Sequence, residues 1–318
     1  MWAFIGRRIL VAVPVLFGAS IALFLLLYVL PGDPAAFVLG DSATPIQLAT
    51  LRHTLRLDQP IPLQYLYWLG SLLRGDLGDS LVNGYPVARL IAQRLPVALQ
   101  LTAGSLVIGC TLGGAAGMIA GIRPDSRLAR LIDFLNATAI AVPVFWLGLL
   151  LQILFAVKLG WLPAGGYVAF TTDPVRCIRS LVLPCVTLGI GTAAVLARFL
   201  ANGIAESLHH DFVLTARAKG LPPRRILLKH VLRNAVIPAI TALGIQFGRL
   251  IGGVVLTEAV FNLPGLGTLL WTALVQRDYF VIQAVTLLAV AAFILVNLAT
   301  DIAYGVIDPR IRAGRLSR

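Results

Sequence analysis

The sequence predicts an all-α polytopic membrane bundle with six transmembrane helices and both termini cytoplasmic, and three observations predict it. The first is composition: 58% of the 318 residues are hydrophobic and 13% charged, with a mean hydropathy of +0.88. That leaves too little polar surface to cover a soluble globule, so lipid is the solvent the chain is built for. The second is six apolar windows close to the roughly 20 helical residues that cross a hydrocarbon core about 30 Å thick. The third is the placement of Lys and Arg between those windows, which follows the positive-inside bias of membrane proteins.

The first window covers residues 9 to 30, behind Arg7 and Arg8. Its apolar run exceeds that of a signal peptide, so residues 1–30 are read as a retained N-terminus and first span. Residues 31–95 form the longest connection and are expected outside the membrane. There QLATLRHTLRL and LQYLYWLGSLL, separated by Pro60 and Pro62, have the spacing of two short amphipathic helices, which serve either as a lid or as a docking surface. Five further windows, 97–121, 131–157, 181–201, 237–258 and 281–304, make up a core spanning 96–310, interrupted by a cytoplasmic loop at 203–236 and followed by a basic tail at 311–318. Pro14, Pro143 and Pro184 fall in or at the ends of windows and are expected to kink their helices without breaking them.

Of the 26 Lys and Arg, sixteen fall on the side of the N-terminus, against five acids; nine fall on the other side, against seven aspartates; Arg249 lies within a span. The richer side is therefore cytoplasmic. The same distribution explains the formal charge of +12 without nucleic acid, since no aromatic-rich basic domain accompanies it. Cys110, Cys177 and Cys185 fit neither a disulfide framework nor a CxxC metal site and read as small apolar residues.

Glycines recur every fourth residue in two spans: Gly109, Gly113, Gly117 and Gly121, with Ser105 one turn before, and Gly244, Gly248 and Gly252. Each series lies on one helix face and lets another backbone come close, either as static packing or as a face that slides. Arg249 and Glu258, nine residues apart, point to opposite faces of a straight helix, so each needs a partner elsewhere. Two readings remain open for them: the wall of a transport path, or structural ion pairs. Gly244, Gly248, Arg249, Gly252 and Glu258 are the candidate translocation-path residues.

Enzyme chemistry finds little support. All four histidines (His53, His209, His210, His230) lie outside the windows, and no GxxxxGK[ST] phosphate loop occurs. The chain is therefore expected to bind no cofactor, metal or nucleotide itself, and ATP-driven work would need another subunit. The exceptional stretch is DFVLTARAKGLPPRRILLKHVLRNAVIP at 211–238, with six Lys/Arg. Helix is favoured from 203 to Lys219; Gly220 suits a left-handed cap, and Leu221-Pro222-Pro223 forces a corner before a second helix from Arg224. Small Ala216, Ala218 and Gly220 flanked by Arg217 and Lys219 fit a groove on a soluble partner; an ordinary basic loop is the alternative.

The segment TARAKGL at 215–221, with His230, Leu232-Arg233-Asn234-Ala235 and Pro238, resembles the cytoplasmic loop of ATP-binding-cassette importer permeases for dipeptides, oligopeptides and nickel. The likeness continues through Gly32-Asp33-Pro34, Gly75-Asp76-Leu77-Gly78 with Ser80, Pro143-Val144-Phe145, Leu162-Pro163-Ala164-Gly165, Leu183-Pro184, Glu206, Glu258 with Phe261, Pro264-Gly265-Leu266-Gly267 and Arg277-Asp278-Tyr279. Two departures stand out: Leu214-Thr215-Ala216 replace the Glu-Ala-Ala of the general importer loop, and Ala201 stands where relatives often carry a second basic residue after Arg198. The long external segment is similar to that of the first (B-type) permease subunit. The resemblance implies a bacterial inner-membrane, multi-pass subunit forming half of a pathway for di- or oligopeptides. Its implied partners are a second homologous permease, two ATPase subunits that hold ATP and Mg, and an external solute-binding protein. It places ATPase docking at Thr215, Ala216, Arg217, Ala218, Lys219, Gly220 and Leu221. Import of nickel or another small solute, an ATP-independent secondary transporter, and a polytopic membrane enzyme are the competing readings.

Overall fold

A computed structural model describes residues 2–29, 34–39, 43–54 and 56–307. In chain order the helices are α1 (Trp2–Val29), α2 (Pro34–Leu39), α3 (Pro45–Thr54), α4 (Ile61–Leu73), α5 (Val87–Ile122), α6 (Arg127–Ala141), α7 (Val144–Leu151), α8 (Pro174–Leu208), α9 (Asp211–Ala218), α10 (Pro223–Arg225), α11 (Leu232–Val260), α12 (Leu266–Val275) and α13 (Tyr279–Ile307). Wider π-helical turns extend α7 through Gln152–Lys158 and join α10 to α11 through Ile226–Val231. The only extended pairing among the described residues is an isolated bridge, Asp79 to Pro86. The basic tail at 311–318 lies outside the described residues.

Among the described residues four helical stretches are long and apolar enough to cross a membrane: Val87–Ile122, Pro174–Leu208, Pro223–Gly248 and Tyr279–Gly305. The pair Arg127–Ala141 and Val144–Lys158 makes a fifth if counted as one span, and α1 contributes a shorter apolar stretch, Leu10–Leu25. The pair corrects the expectation for Pro143, because the chain bends there by 106°. Proline disfavours helical geometry in the residue before it. Val142 accordingly sits at φ −74°, ψ 127°, ending α6, and Pro143 at ψ 133° precedes α7. Pro14 and Pro184 lie inside continuous helices, as expected.

The chain divides into two compact units, one built on Val97–Pro264 with the chain from Val296, the other on Gly6–Pro96 and Gly265–Leu295. In the first, α8 is the hub: 72% of its apolar window is buried, against 33% for α5, and it packs on α11, α6 and α7. Three of its hydroxyls are satisfied within the helix, Ser180 donating to the Cys177 carbonyl (2.8 Å), Thr187 to that of Leu183 (2.8 Å) and Thr192 to that of Leu188 (3.3 Å). In a bilayer interior each such group would otherwise cost several kcal/mol. The α5 glycine series is a packing ridge. A Cβ on Gly109 would stand 2.7 Å from Thr192 Cγ2, on Gly113 2.6 Å from the Ala193 carbonyl oxygen, on Gly117 2.9 Å from that of Ala197, and on Gly121 2.7 Å from Ile204 Cβ. The opposite faces of α5 and α6 expose Leu99, Val107, Leu112, Leu131 and Phe134, as lipid-facing surfaces do.

In the second unit α1 packs on α4 through aromatic rings: Phe24 lies 5.4 Å from Tyr65 edge-on and 5.8 Å from Trp68. The Ser20 and Tyr65 hydroxyls share a hydrogen bond (2.9 Å), and Tyr28 donates to Gln64 Oε1. Helices α3 and α4 are the two short helices expected around Pro60.

Because the groups facing Gly113 are backbone atoms that cannot swing away, Gly113→Leu should cost about 1 to 3 kcal/mol by overpacking and lower the thermal midpoint in detergent. At Gly114 a Cβ would meet nothing within 4 Å, so Gly114→Leu should lower that midpoint far less; equal behaviour of the two would contradict the ridge.

Candidate docking and translocation site

The expected helix from 203 to 219 is instead two helices. His209 closes α8 and His210 is extended (φ −75°, ψ 149°), so α9 starts afresh at Asp211. No proline or glycine marks this break. The His209 ring lies 2.8 Å from the Ala205 carbonyl oxygen, and the His210 ring stacks on Phe212 at 5.7 Å.

The C-terminal end of α9 matches expectation. Gly220 has φ +71°, its N–H donates to the Arg217 carbonyl (2.9 Å), and the Leu221 N–H donates to the Ala216 carbonyl (3.2 Å). These are the two bonds of a Schellman motif, which favours glycine at the left-handed position. Pro222, extended at ψ 144°, then turns the chain into α10.

Helix α9 is held from one side only. Val213 (0% exposed) and Ala216 (6%) join a cluster with Leu196, Leu200, Ile204, Ile226 and Val231. Of the seven expected docking residues, Thr215, Arg217, Ala218, Lys219 and Gly220 are exposed, Leu221 is half-buried, and Ala216 faces the bundle. The sequence reading missed two exposed apolar side chains, Leu214 (59%) and Leu228 (61%). Leu214 follows Val213 by one residue, hence by 100°, and so falls off the buried face; that offset was the available signal. Beside α9 lies a cavity of about 490 Å³ lined by Leu208, Arg217, Leu221, Arg224 and Ile226 among others.

The expected path residues are less closely assembled. Gly244 on α11 faces α13, a Cβ there standing 3.0 Å from Thr300 Oγ1, and one turn away Tyr304 donates to Thr241 Oγ1. Gly248 is half-buried. Arg249 and Gly252 belong to α11, but the Arg249 side chain and the surroundings of Gly252 lie outside the described residues. Glu258 is 0% exposed near the end of α11, where its carbonyl accepts the Leu263 N–H at 2.8 Å.

Several motif residues prove to be mutual partners. Gly166 donates its N–H to the Phe261 carbonyl (2.9 Å), and a Cβ on Gly165 would lie 2.5 Å from that same oxygen. Gln152 Nε2 donates to the Ala164 carbonyl at 2.5 Å. Thus Leu162-Pro163-Ala164-Gly165 is shaped by its seat on the end of α11. Tyr167, next in that loop, donates to Gln100 Oε1 (3.1 Å), and burial pushes its hydroxyl pKa up. In the other unit Asp278, 3% exposed, accepts from the Ser80 hydroxyl and from the Leu81 N–H (3.2 Å), joining the Gly75–Ser80 motif to Arg277-Asp278-Tyr279. Among the described residues no three His, Cys, Asp or Glu side chains gather as metal ligands.

Comparison with known proteins identifies the class. The family profile for binding-protein-dependent transport system inner membrane components matches residues 113–313, and the profile for the N-terminal part of such components matches 1–102. The "Probable peptide ABC transporter permease protein" of Sinorhizobium fredii is 39% identical over 98% of this chain and 100% of its own length. The glutathione transport system permease protein of Escherichia coli K12 is 41% identical over 98% of this chain and 99% of its own. Among solved structures, the MetNI methionine ABC transporter in an inward-facing form superposes with a TM-score of 0.55 at 20% identity, over 69% of this chain and 96% of that one, a likeness of fold. The chain therefore belongs to the binding-protein-dependent transport system inner membrane components and is an ABC transporter permease of the inner membrane.

Losing the Asp278 carboxylate leaves a buried hydroxyl and an N–H without their acceptor, so Asp278→Ala should destabilise by about 2 to 3 kcal/mol. Asp278→Asn, which keeps one acceptor oxygen, should recover part of the loss in a thermal-shift measurement; full stability of the alanine variant would contradict the clamp.

Proposed function

We propose that this chain forms half of the translocation pathway of an ATP-driven importer of di- or oligopeptides and is coupled to its motor through α9. The observation that carries the coupling is the one-sided seating of α9: Val213 and Ala216 hold it to the bundle, while Leu214, Arg217, Ala218 and Lys219 stand outward beside a fixed left-handed Gly220. A thin, positively edged helix of this kind suits a cleft on a soluble partner, and its apolar Leu214 supplies the buried contact that charge alone does not. In this assignment Ala216 sets the angle of the helix and the exposed residues make the contact.

Family membership supports the wider assembly we assign. A second homologous permease completes the pathway, two ATPase subunits bind ATP and Mg and supply hydrolysis, and an external solute-binding protein delivers the cargo. The chain itself carries no nucleotide site. Counting Leu10–Leu25 and the bent α6–α7 pair as one crossing each makes six, and with the Lys/Arg bias of the connections this supports both termini and α9 in the cytoplasm and residues 31–95 outside. Peptide cargo is supported by the named functions of the full-length relatives, peptide and glutathione transport. Gly244, Gly248, Arg249, Gly252 and Glu258 are assigned to the pathway wall, with the carboxylate of Glu258 buried at one end of α11. Closure of the ATPase pair moves α9, and α8 and α11 convert that shift into opposite gating at the two membrane faces.

Reconstitution tests the proposal. Proteoliposomes holding the complex should take up peptide only with internal ATP and external binding protein; uptake driven by an ion gradient without ATPase subunits would make the chain a secondary transporter. A Cβ added at Gly220 would meet no neighbouring atom within 4 Å, so Gly220→Trp adds bulk at an exposed point while straining a left-handed position. It should leave the protein inserted and ATP hydrolysed while import falls at least about tenfold, a loss of about 1.4 kcal/mol in coupling. Import at the wild-type rate would overturn the role of α9.

A further inference from the structure

A second cavity, also of about 490 Å³, lies wholly within the unit built on Gly6–Pro96 and Gly265–Leu295. Its size is in the range of about 300 to 1,000 Å³ that holds small-molecule ligands. The floor is aromatic, formed by Phe24, Tyr67, Trp68 and Phe280. Two arginines, Arg56 and Arg74, also line it. Arg56, held at φ +58°, stands 3.9 Å over the Tyr67 ring, and Arg74 caps the C-terminus of α4. Neither forms an ion pair among the described residues.

The polar lining is otherwise largely engaged, with one exception. Gln64 donates to the Gln59 carbonyl and accepts from Tyr28, and Gln283 donates to the Leu23 carbonyl. Asp76, the single acid of the lining, accepts the Gly78 N–H at 2.9 Å. Tyr279 is only 4% exposed, and its hydroxyl has no hydrogen-bond partner among the described residues. A buried hydroxyl left without a partner bears its full desolvation penalty, which a ligand acceptor removes. Two cations against one anion, a waiting O–H donor and a stacking floor together describe a site for a carboxylate attached to an apolar group.

We infer that this cavity binds a small carboxylate bearing an aromatic or aliphatic side group, its carboxylate held by Arg74 and the Tyr279 hydroxyl and its side group lying on the aromatic floor. Arg56, already stacked on Tyr67, adds positive potential to the lining. A peptide C-terminus has this chemistry. As a site for the transported solute the cavity rests on the importer reading; as a carboxylate site it stands without it. An anionic lipid headgroup presents the same charge and is the competing source.

The test is equilibrium binding of radiolabelled alanyl-phenylalanine to the complete complex in phosphatidylcholine nanodiscs, without the solute-binding protein. Saturable binding is expected, weakened about tenfold or more for the C-terminal amide and for Arg74→Gln, and about threefold for Tyr279→Phe, with thermal midpoints confirming that both variants are folded. Binding that is equal for the free acid and the amide, or unchanged in both variants, would overturn the inference. So would phosphatidylglycerol nanodiscs that bind no dipeptide and retain lipid in an Arg74-dependent way by native mass spectrometry, which would assign the site to lipid. ATP-driven uptake by the same complex in proteoliposomes, with the solute-binding protein added outside, separates the two proposals. Loss of uptake with Arg74-dependent binding intact refutes the importer alone, whereas uptake with Arg74-independent binding refutes the cavity alone.

Discussion

Close backbone approach between α5 and α8 is the interaction on which the larger unit depends. Lipid tails are as apolar as leucine, so burying apolar side chains between two helices gains little over leaving them in the bilayer. What remains is dispersion contact, hydrogen bonding and the exclusion of voids, and these need the helices to come near. Gly109, Gly113, Gly117 and Gly121 permit it by removing four side chains from one face, so that α5 rests on the Thr192, Ala193, Ala197 and Ala201 backbone region of α8. Helix α8, buried for 72% of its apolar window, is thereby fixed as the axis around which α6, α7 and α11 pack.

That axis also positions the proposed coupling element. Its 35 residues span about 50 Å at 1.5 Å per residue, and α9 follows after the two-residue turn at His209 and His210. The side chains locking α9 down come partly from α8 itself, Leu196, Leu200 and Ile204, and partly from the turns that lead into α11, Ile226 and Val231. A push on α9 is thus delivered to the two most extensively packed helices of the unit. Interiors packed at this density shift as rigid elements. The glycine ridge has interlocking on its α8 side, which identifies it as packing, whereas the nearest atoms to a Cβ on Gly244 are side-chain atoms of Thr300, at 3.0 Å or more.

Much of this architecture was legible in the sequence because bilayer thickness and helical rise leave few choices. Over the described residues five of the six windows fall on one helix each, whereas 131–157 is divided between α6 and α7, and Gly220 before Leu221-Pro222-Pro223 announced a left-handed cap that the structure has. The failures have physical causes. Pro143 was read by analogy with Pro14 and Pro184, which lie within helices; its effect on Val142 added a full break. The turn at His209-His210 carries neither proline nor glycine, and tertiary packing of Val213 and Ala216 decides where α9 begins. Leu214 and Leu228 were not singled out, because composition does not distinguish an apolar side chain that faces outward from one that faces its own fold; only the 100° offset of Leu214 from Val213 marks it. The join between Ser80 and Asp278, nearly two hundred residues apart, has no local signal at all, although both motifs had been singled out.

The central claim is that the outward face of α9, and not its inward face, is held by an ATP-hydrolysing subunit while transport runs. Photo-crosslinking reads this directly: a benzoylphenylalanine placed at position 214, in cells that are importing the solute, should capture the ATPase subunit. The same probe at position 107 on the lipid-facing side of α5 should not. Import that continues while position 214 never captures a nucleotide-hydrolysing protein would contradict the account.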